Sequence, residues 1–275
     1  AKYAFANQAD VLINARHAAD AAGATKMDRP EWTAVNPKNG DVYLTLTNNS
    51  ARALDTTDAS NPRYYNDPKG AAKTAQRGNP NGHVVRFADD NRDPTATTFK
   101  WDVYLFGSRS TMAKDINVSG LTADNDFSSP DGMWFSQAAS GLVWLQTDDG
   151  KITDVTNCMM LAGLPGQVGD GAKRTITNIS ADGATTKTQD TIVGAAPTSS
   201  TLRRFLVGPV ACEITGIAES GDGKAIFVNI QHPGEEGTSA TDPTKFGSHW
   251  PDGGTARPRS ATIVITKNDG GRIGA

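Results

Sequence analysis

This 275-residue chain has only four histidines and two cysteines, and no apolar run approaches the roughly 20 residues needed to cross a bilayer. A membrane-spanning helix is thereby excluded. Cys158 and Cys212 lie in no CxxC motif and no Cys/His cluster of zinc spacing, which removes the support for a structural zinc site. They could pair in one disulfide, stay as buried thiols or act as soft ligands, and their spacing leaves the three open. With 27 basic against 30 acidic residues, a net charge of -3 and no basic run, the chain lacks the clustered Lys and Arg of a nucleic-acid surface, so no nucleic-acid partner is expected. Neither a GxSxG elbow nor a P-loop occurs, and His17, His83 and His249 are scattered, so serine-hydrolase and nucleotide-hydrolase readings fall away. The N-terminus shows no charged segment followed by an apolar one, so localisation is not legible there.

Hydrophobic residues make up 37% of the chain, enough for a substantial core. FANQADVLINARHAADAA (5 to 22) carries Phe5, Val11, Leu12, Ala15 and Ala18 at near-helical spacing with Gly23 as a stop, which predicts one long N-terminal helix. The texture then changes to short β-branched and aromatic runs separated by Gly, Asn, Asp and Pro: VYLTLT (42 to 47), GHVVRF (82 to 87), FKWDVYLF (99 to 106), GMWFS (132 to 136), LVWLQT (142 to 147), FVNIQ (227 to 231) and ATIVITK (261 to 267). Such spacing predicts an all-β sandwich, barrel or propeller.

Three stretches repeat one another: an acidic residue, a short apolar run, a glycine about ten residues on, then a strand with a polar end. They run from Glu31 through Gly40 to VYLTLTNN, from Asp131 through Gly141 to LVWLQTDD, and from Glu213 through Gly223 to KAIFVNIQH. A repeat of this kind is one supersecondary unit that buries its apolar face only against its neighbours. Four consecutive strands in the first copy (31 to 35, 42 to 47, 83 to 87, 99 to 106) make one propeller blade. The second copy has strands at 132 to 147 and an outer one at 202 to 207, with its third near Met159 or at 174 to 179; the third copy has three strands. The expected organisation is a helical lead-in at 1–26, blades at 27–107 and 127–210, and an incomplete last blade at 211–275. Polar segments 50–81 and 162–200 are expected as surface insertions or mobile loops. Propellers close with roughly 4 to 8 blades, so about three blades call for a missing N-terminal half or a second copy of the chain.

If the copies pack around one axis, Glu31, Asp131 and Glu213 converge as the hard oxygen ligands that Ca²⁺ requires. Arg29 and Glu31, two apart on a strand, share a face and place a guanidinium fork for phosphate oxygens beside a cation-binding carboxylate, although an isolated pair of this kind also reads as a surface salt bridge. Ser129-Pro130-Asp131-Gly132 by itself reads as a turn, and only its alignment with the other copies makes Asp131 a ligand candidate. Glu213 sits at the edge of an apolar segment, where a charge is costly unless paired or metal-bound. Asn48, Asn49, Asp148, Asn229, Gln231 and His232 at polar strand ends are further oxygen or imidazole candidates, with turn and strand-end use as the commoner reading.

MDRPEW (27 to 32), NPKNGDVYLTLTNNS (36 to 50), SPDGMWF (129 to 135), RRFLVGPVACEITG (203 to 216), FVNIQHPGE (227 to 235), SHWPDGG (248 to 254) and RPRSATIVITKNDGG (257 to 271) resemble the PhoX-type alkaline phosphatases, in the C-terminal half of that family's chain. The resemblance implies a six-bladed β-propeller, secreted or periplasmic, that hydrolyses small phosphomonoesters with several Ca²⁺ ions and Fe³⁺ clustered at the axis. It also implies that Arg29 contacts phosphate, that Glu31 is its adjacent metal ligand, and that Asp131 and Glu213 are later acidic ligands; the family's iron-ligating cysteine is not one of the two here. A calcium-dependent propeller lactonase or esterase, or a noncatalytic calcium-binding propeller segment, are the rival readings.

Overall fold

A computed structural model of the chain describes residues 3–148 and 150–274. The predicted long helix is two short ones, α1 (Gln8–Ile13) and α2 (Ala15–Ala22), with no buried residue in either. Asn14 separates them: its amide and its backbone N–H both bond the Asp10 carbonyl, capping α1 before the helical ladder can continue. Gly23 ends α2 with φ +71°. Among the described residues no helix is long and apolar enough to cross a membrane.

The remainder is mostly β. The strands are β1 (Pro30–Val35), β2 (Val42–Leu46), β3 (Tyr65–Asn66), β4 (Arg77–Gly78), β5 (His83–Asp89), β6 (Phe99–Phe106), β7 (Pro130–Phe135), β8 (Val143–Thr147), β9 (Met159–Gly163), β10 (Ala172–Ile179), β11 (Thr186–Val193), β12 (Leu202–Val207), β13 (Glu213–Glu219), β14 (Ala225–Gln231) and β15 (Ala261–Thr266). They form sheets of order β1-β2-β5-β6-β11-β10, β12-β9-β8-β7 and β13-β14-β15, plus the small β3-β4 hairpin, and none of these sheets closes on itself. The first strand of each large sheet leads by a tight turn into the second, and the turn glycines Gly40, Gly141 and Gly223 have φ of +77°, +84° and +72°. The repeated glycine is therefore a backbone requirement.

The sheets stack in chain order. Along β8 the side chains alternate: Val143 and Leu145 point into a core with Tyr43, Tyr104, Phe127, Met133 and Leu161, while Trp144 faces Met160, Cys212, Ile214, Ile226 and Val228. The second sheet is thus buried on both faces, and its strands read as continuous apolar runs. β7 contacts both β1 and β13, which sets the first strands of the three sheets side by side.

The structure selects between alternatives that the sequence left open. The third strand of the second sheet is β9 at Met159, whereas residues 174 to 179 belong to a β10–β11 hairpin that joins the first sheet through a parallel pairing of Val193 with Val103. Buried Arg86 fixes that graft, donating from Nε to Asp102 Oδ1 at 2.7 Å and from Nη2 to Asp170 Oδ1 at 2.6 Å. Segment 50–81 is likewise no mobile loop, because Arg52, Thr57, Asn61, Arg63, Asp67, Asn79 and Asn81 are all buried in it. Arg63 is the centre of this polar packing. It donates to the carbonyls of Gly107, Ile116 and Gly82 and to Asn79 Oδ1 at 2.6–2.9 Å, and it lies over the Phe106 ring at 4.6 Å.

Removing that side chain takes a donor from four acceptors, of which the Gly82 carbonyl keeps a bond from Gly107 N–H and the other three are left short, each costing about 1–3 kcal/mol when buried and unpaired. Arg63→Ala is expected to lower unfolding free energy by more than about 4 kcal/mol, read as a drop in denaturant midpoint at unchanged slope; a loss under about 1 kcal/mol would show the segment to be independent of it.

Candidate active site

Three non-glycine residues hold left-handed backbone at one recurring place: Arg29 (φ +50°), Ser129 (φ +51°) and Ala211 (φ +49°). Each precedes by two residues one of the acidic positions Glu31, Asp131 and Glu213. Arg29 and Ser129 are equivalent in their bonding too, since Thr47 N–H donates to the Arg29 carbonyl and Asp148 N–H to the Ser129 carbonyl, both at 3.1 Å. Glu31 and Asp131 lie where the pairing of β1 with β2 and of β7 with β8 is interrupted by a bulge, a feature that re-aims side chains. Glu213 differs, pairing in register with Gln231, and the bulge of β13 falls later, between Thr215 and Ile217. Asp131 is therefore part of an irregular strand and not of the turn that its sequence suggests. Gly132 beside it lies against the Gln146 side chain, whose Oε1 would stand 2.2 Å from a Cβ there and would have to move.

The acidic side chains share one electrostatic field. Burial, then the charges of Glu31, Glu213 and Asp148, push the Asp131 carboxyl up to about 7, against the pull of Arg29. Glu213 is also raised, by burial first and then by Asp148 and Glu31, with His232 opposing. Gln231 Nε2 donates to Glu213 Oε2 at 2.8 Å, and His232 Nε2 lies 3.6 Å from the same oxygen. Arg29 is half exposed, with Nη2 3.6 Å from Glu31 Oε1 and Nη1 donating to Asn48 Oδ1 at 3.1 Å. Among the described residues no three His, Cys, Asp or Glu side chains are gathered closely enough to hold a metal ion, so the carboxylates face one centre without closing a cage.

The polar strand ends are sorted by the fold. Asn48 joins Arg29, Asp148 joins the carboxylate field, and Gln231 and His232 flank Glu213. Asn229 instead accepts from Thr262 Oγ1 on the third sheet, and Asn49 donates to Asp28 Oδ1 at 2.7 Å. Asp149, the second Asp of LVWLQTDD, lies outside the described residues. Cys158 and Cys212 are buried thiols in the core between the second and third sheets, and burial lifts Cys212 to about 12.

Sequence reasoning missed Asp28. Its carboxylate is fully buried and accepts from Asn49 Nδ2, Arg52 Nε and Asn79 Nδ2 at 2.7–3.0 Å, fixing the residue before Arg29. The available signal was a second acid immediately before Arg29 in DRPEW. His83 completes this underlayer, its Nε2–H donating to the Ser60 carbonyl at 2.8 Å and its Nδ1 accepting from Asn79 Nδ2 at 3.0 Å.

The fold and centre define a mostly β protein of stacked antiparallel sheets that presents carboxylates and one arginine at the start of its sheets' first strands. Residues 1–234 match the family described as alkaline phosphatase PhoX, and the chain belongs to that family. Among solved structures it is similar to Pseudomonas fluorescens PhoX in complex with vanadate, a transition state analogue, at 36% identity and TM-score 0.65 over 98% of this chain. The chain spans 39% of the length of that protein. No curated protein matches.

Burial pushes His83 down to about 4, well below the ordinary imidazole range. The folded state therefore holds it neutral where the unfolded chain would protonate it, and stability present above about pH 6.5 is lost as pH falls toward 4. A smaller fall in melting temperature between pH 7 and 4.5 for His83→Gln than for the native chain is the expected outcome; equal slopes would assign acid lability to other groups.

Proposed function

We propose that this chain supplies the arginine and the acidic ligands of a PhoX-type phosphomonoesterase, which hydrolyses small phosphate esters to inorganic phosphate. The observation that carries the reading is the field of Glu31, Asp131, Asp148 and Glu213 facing Arg29, with Asp131 held near neutrality. A site made only to bind an anion would not gather carboxylates, and a site made only for cations has no need of a half-exposed guanidinium among them. Both together suit a phosphate that bridges from arginine to bound cations. The relative that binds vanadate as a transition-state analogue supports this choice of substrate class.

The donors suit a hard, oxygen-seeking cation by their chemistry, and since among the described residues they close no cage of their own, Glu31, Asp131 and Glu213 would contribute ligands to Ca²⁺ that further donors complete. For Fe³⁺ this chain offers carboxylate oxygens and the His232 imidazole beside Glu213, while the Cys212 thiol is buried in the core, where burial raises its pKa. Bound there, the cations would polarise the phosphoryl oxygens, generate the nucleophile and stabilise the leaving alkoxide. Arg29 binds and orients the phosphoryl group through its outward N–H groups while Glu31 limits the drift of the guanidinium. Gln231 holds one oxygen of Glu213 and so restrains its carboxylate, leaving the other oxygen for a cation.

The sheets are read as blades at 27–107, 127–210 and 211–275 of a six-bladed propeller, preceded by the helical lead-in at 1–26, in a periplasmic or secreted enzyme. Phe227 and Val264, paired across β14 and β15 and exposed at 40% and 56%, form the apolar outer face that the remainder of the ring would cover. The remainder is a preceding half of the protein or a second copy.

In the calcium-loaded active assembly, Arg29→Ala and Glu31→Gln are each expected to lower kcat/KM for a phosphomonoester by about a hundredfold or more, with the native enzyme inhibited by inorganic phosphate. Full activity in either variant, or lactone turnover insensitive to phosphate, would overturn the reading.

A further inference from the structure

We propose that Asn48 is a positioning residue for phosphate recognition: it aims the Arg29 guanidinium without neutralising it and ties that aim to the neighbouring sheet. The inference rests on the phosphatase reading above. Asn48 follows the end of β2 and is 8% exposed. Its Oδ1 accepts from Arg29 Nη1 at 3.1 Å, and its Nδ2 donates to Ser129 Oγ at 3.3 Å. Arg29 and Ser129 are the two equivalent left-handed residues of the first and second sheets, so one amide side chain spans the same turn in both. The guanidinium has no acceptor atom, so the amide must present its oxygen to Arg29 and its nitrogen to Ser129. Neighbouring groups leave it little freedom. The preceding Thr47 donates its N–H to the Arg29 carbonyl and its Oγ1–H to the Pro130 carbonyl at 3.1 Å in both cases. Behind Ser129 the chain of bonds continues through Ser128 Oγ to Asn81 Oδ1 at 3.0 Å and from Asn81 Nδ2 to Asp67 Oδ2 at 2.9 Å, all buried.

An amide acceptor here has a chemical consequence. A carboxylate at the same place would orient Arg29 equally well, yet it would cancel the charge that attracts a phosphoryl group. Glu31 is already one partial counter-ion at 3.6 Å. A neutral partner at the second N–H therefore keeps the guanidinium directed and still cationic, with its remaining donors free for phosphate oxygens.

The test is a double-mutant cycle in the calcium-loaded active enzyme, with inorganic phosphate as the probe, its dissociation constant measured by calorimetry and KM and kcat measured for a phosphomonoester. Asn48→Ala is expected to weaken phosphate binding about tenfold, the worth of one hydrogen bond to a charged group, and to raise KM more than it lowers kcat. In an Arg29→Ala background the same change should cost less than about twofold. Asn48→Asp keeps an oxygen on Arg29 and should also weaken phosphate, by a loss that shrinks in the Arg29→Ala background, whereas a purely structural role would give the same loss in both. Ser129→Ala leaves Asn48 in place but untethered, is expected to give a smaller loss of phosphate affinity, and carries the test if the Asn48 variants fail to fold. Equal losses in both Arg29 backgrounds, or Asn48→Asp binding phosphate like the native enzyme, would overturn the proposal. Absence of phosphate binding and turnover in the native enzyme would instead overturn the phosphatase reading.

Discussion

The left-handed backbone at Arg29, Ser129 and Ala211 decides where the acidic side chains of this protein point. A non-glycine residue in that region costs about 1–3 kcal/mol and persists only where its surroundings leave no alternative. The surroundings here are specific. Asp28 is locked by three donors on one side of Arg29, and the Arg29 carbonyl is held by Thr47 on the other. Ser129 N–H donates to the Asn81 carbonyl at 3.0 Å, and the Ala211 carbonyl accepts from Glu235 at 3.2 Å. Each turn brings the chain into a first strand from the same direction, so a carboxylate two residues later emerges at the same end of each sheet. The recurrence of an acid two residues after a left-handed residue is thus a property of backbone geometry, repeated, before any cation is considered.

That geometry needs a rigid support, and the protein builds it from polar material. The cores between sheets are apolar. Beside them segment 50–81 carries a polar layer, where Arg52, Arg63, Asn61, Asn79 and Asn81 bond carbonyls and carboxylates. Hydrogen bonds are directional where apolar contacts are not, so a satisfied polar layer fixes orientation as well as distance. The cost is desolvation, and it explains why Asp28, His83 and Arg63 are so fully partnered. His83 illustrates the rule: it is kept neutral by burial and used at both nitrogens as an ordinary hydrogen-bonding group.

The repeat was legible because its causes are local. Gly40, Gly141 and Gly223 mark turns that only glycine adopts easily, the alternation along AIFVNIQ reports one face buried against a neighbouring sheet, and the unbroken burial of VWLQT reports a strand covered on both faces. Glu31, Asp131 and Glu213 were equally legible as repeated positions, and Arg29 as the residue two before the first of them. What escaped sequence reasoning depends on contacts far along the chain. Asp28 finds Asn79 51 residues away, and Asn178 receives Tyr64 N–H across 114 residues, so a polar stretch that looks like loop becomes interior. Asn14 broke a helix whose apolar residues have nothing to pack against, Leu12 and Ile13 being largely exposed. The β10–β11 hairpin has good strand periodicity but no local sign that its partner is β6.

The three equivalent turns are not equivalent in chemistry. The first carries a guanidinium, the second a hydroxyl and the third a methyl group. Around them the negative charge is spread over all three sheets, since Asp131 in the second feels Glu31 in the first and Glu213 in the third. The only positive side chain at a turn therefore stands at one edge of an acidic centre. Two unit charges 4 Å apart interact by about 4 kcal/mol at an effective dielectric constant near 20, so an anion entering this centre has a strong reason to lie against the first sheet. Cations would have the opposite reason, to sit toward the second and third, where carboxylates outnumber guanidinium. In the phosphatase proposed above, a phosphoryl group held between these two preferences would be oriented before any bond is broken, and the asymmetry of the turns would supply the orientation.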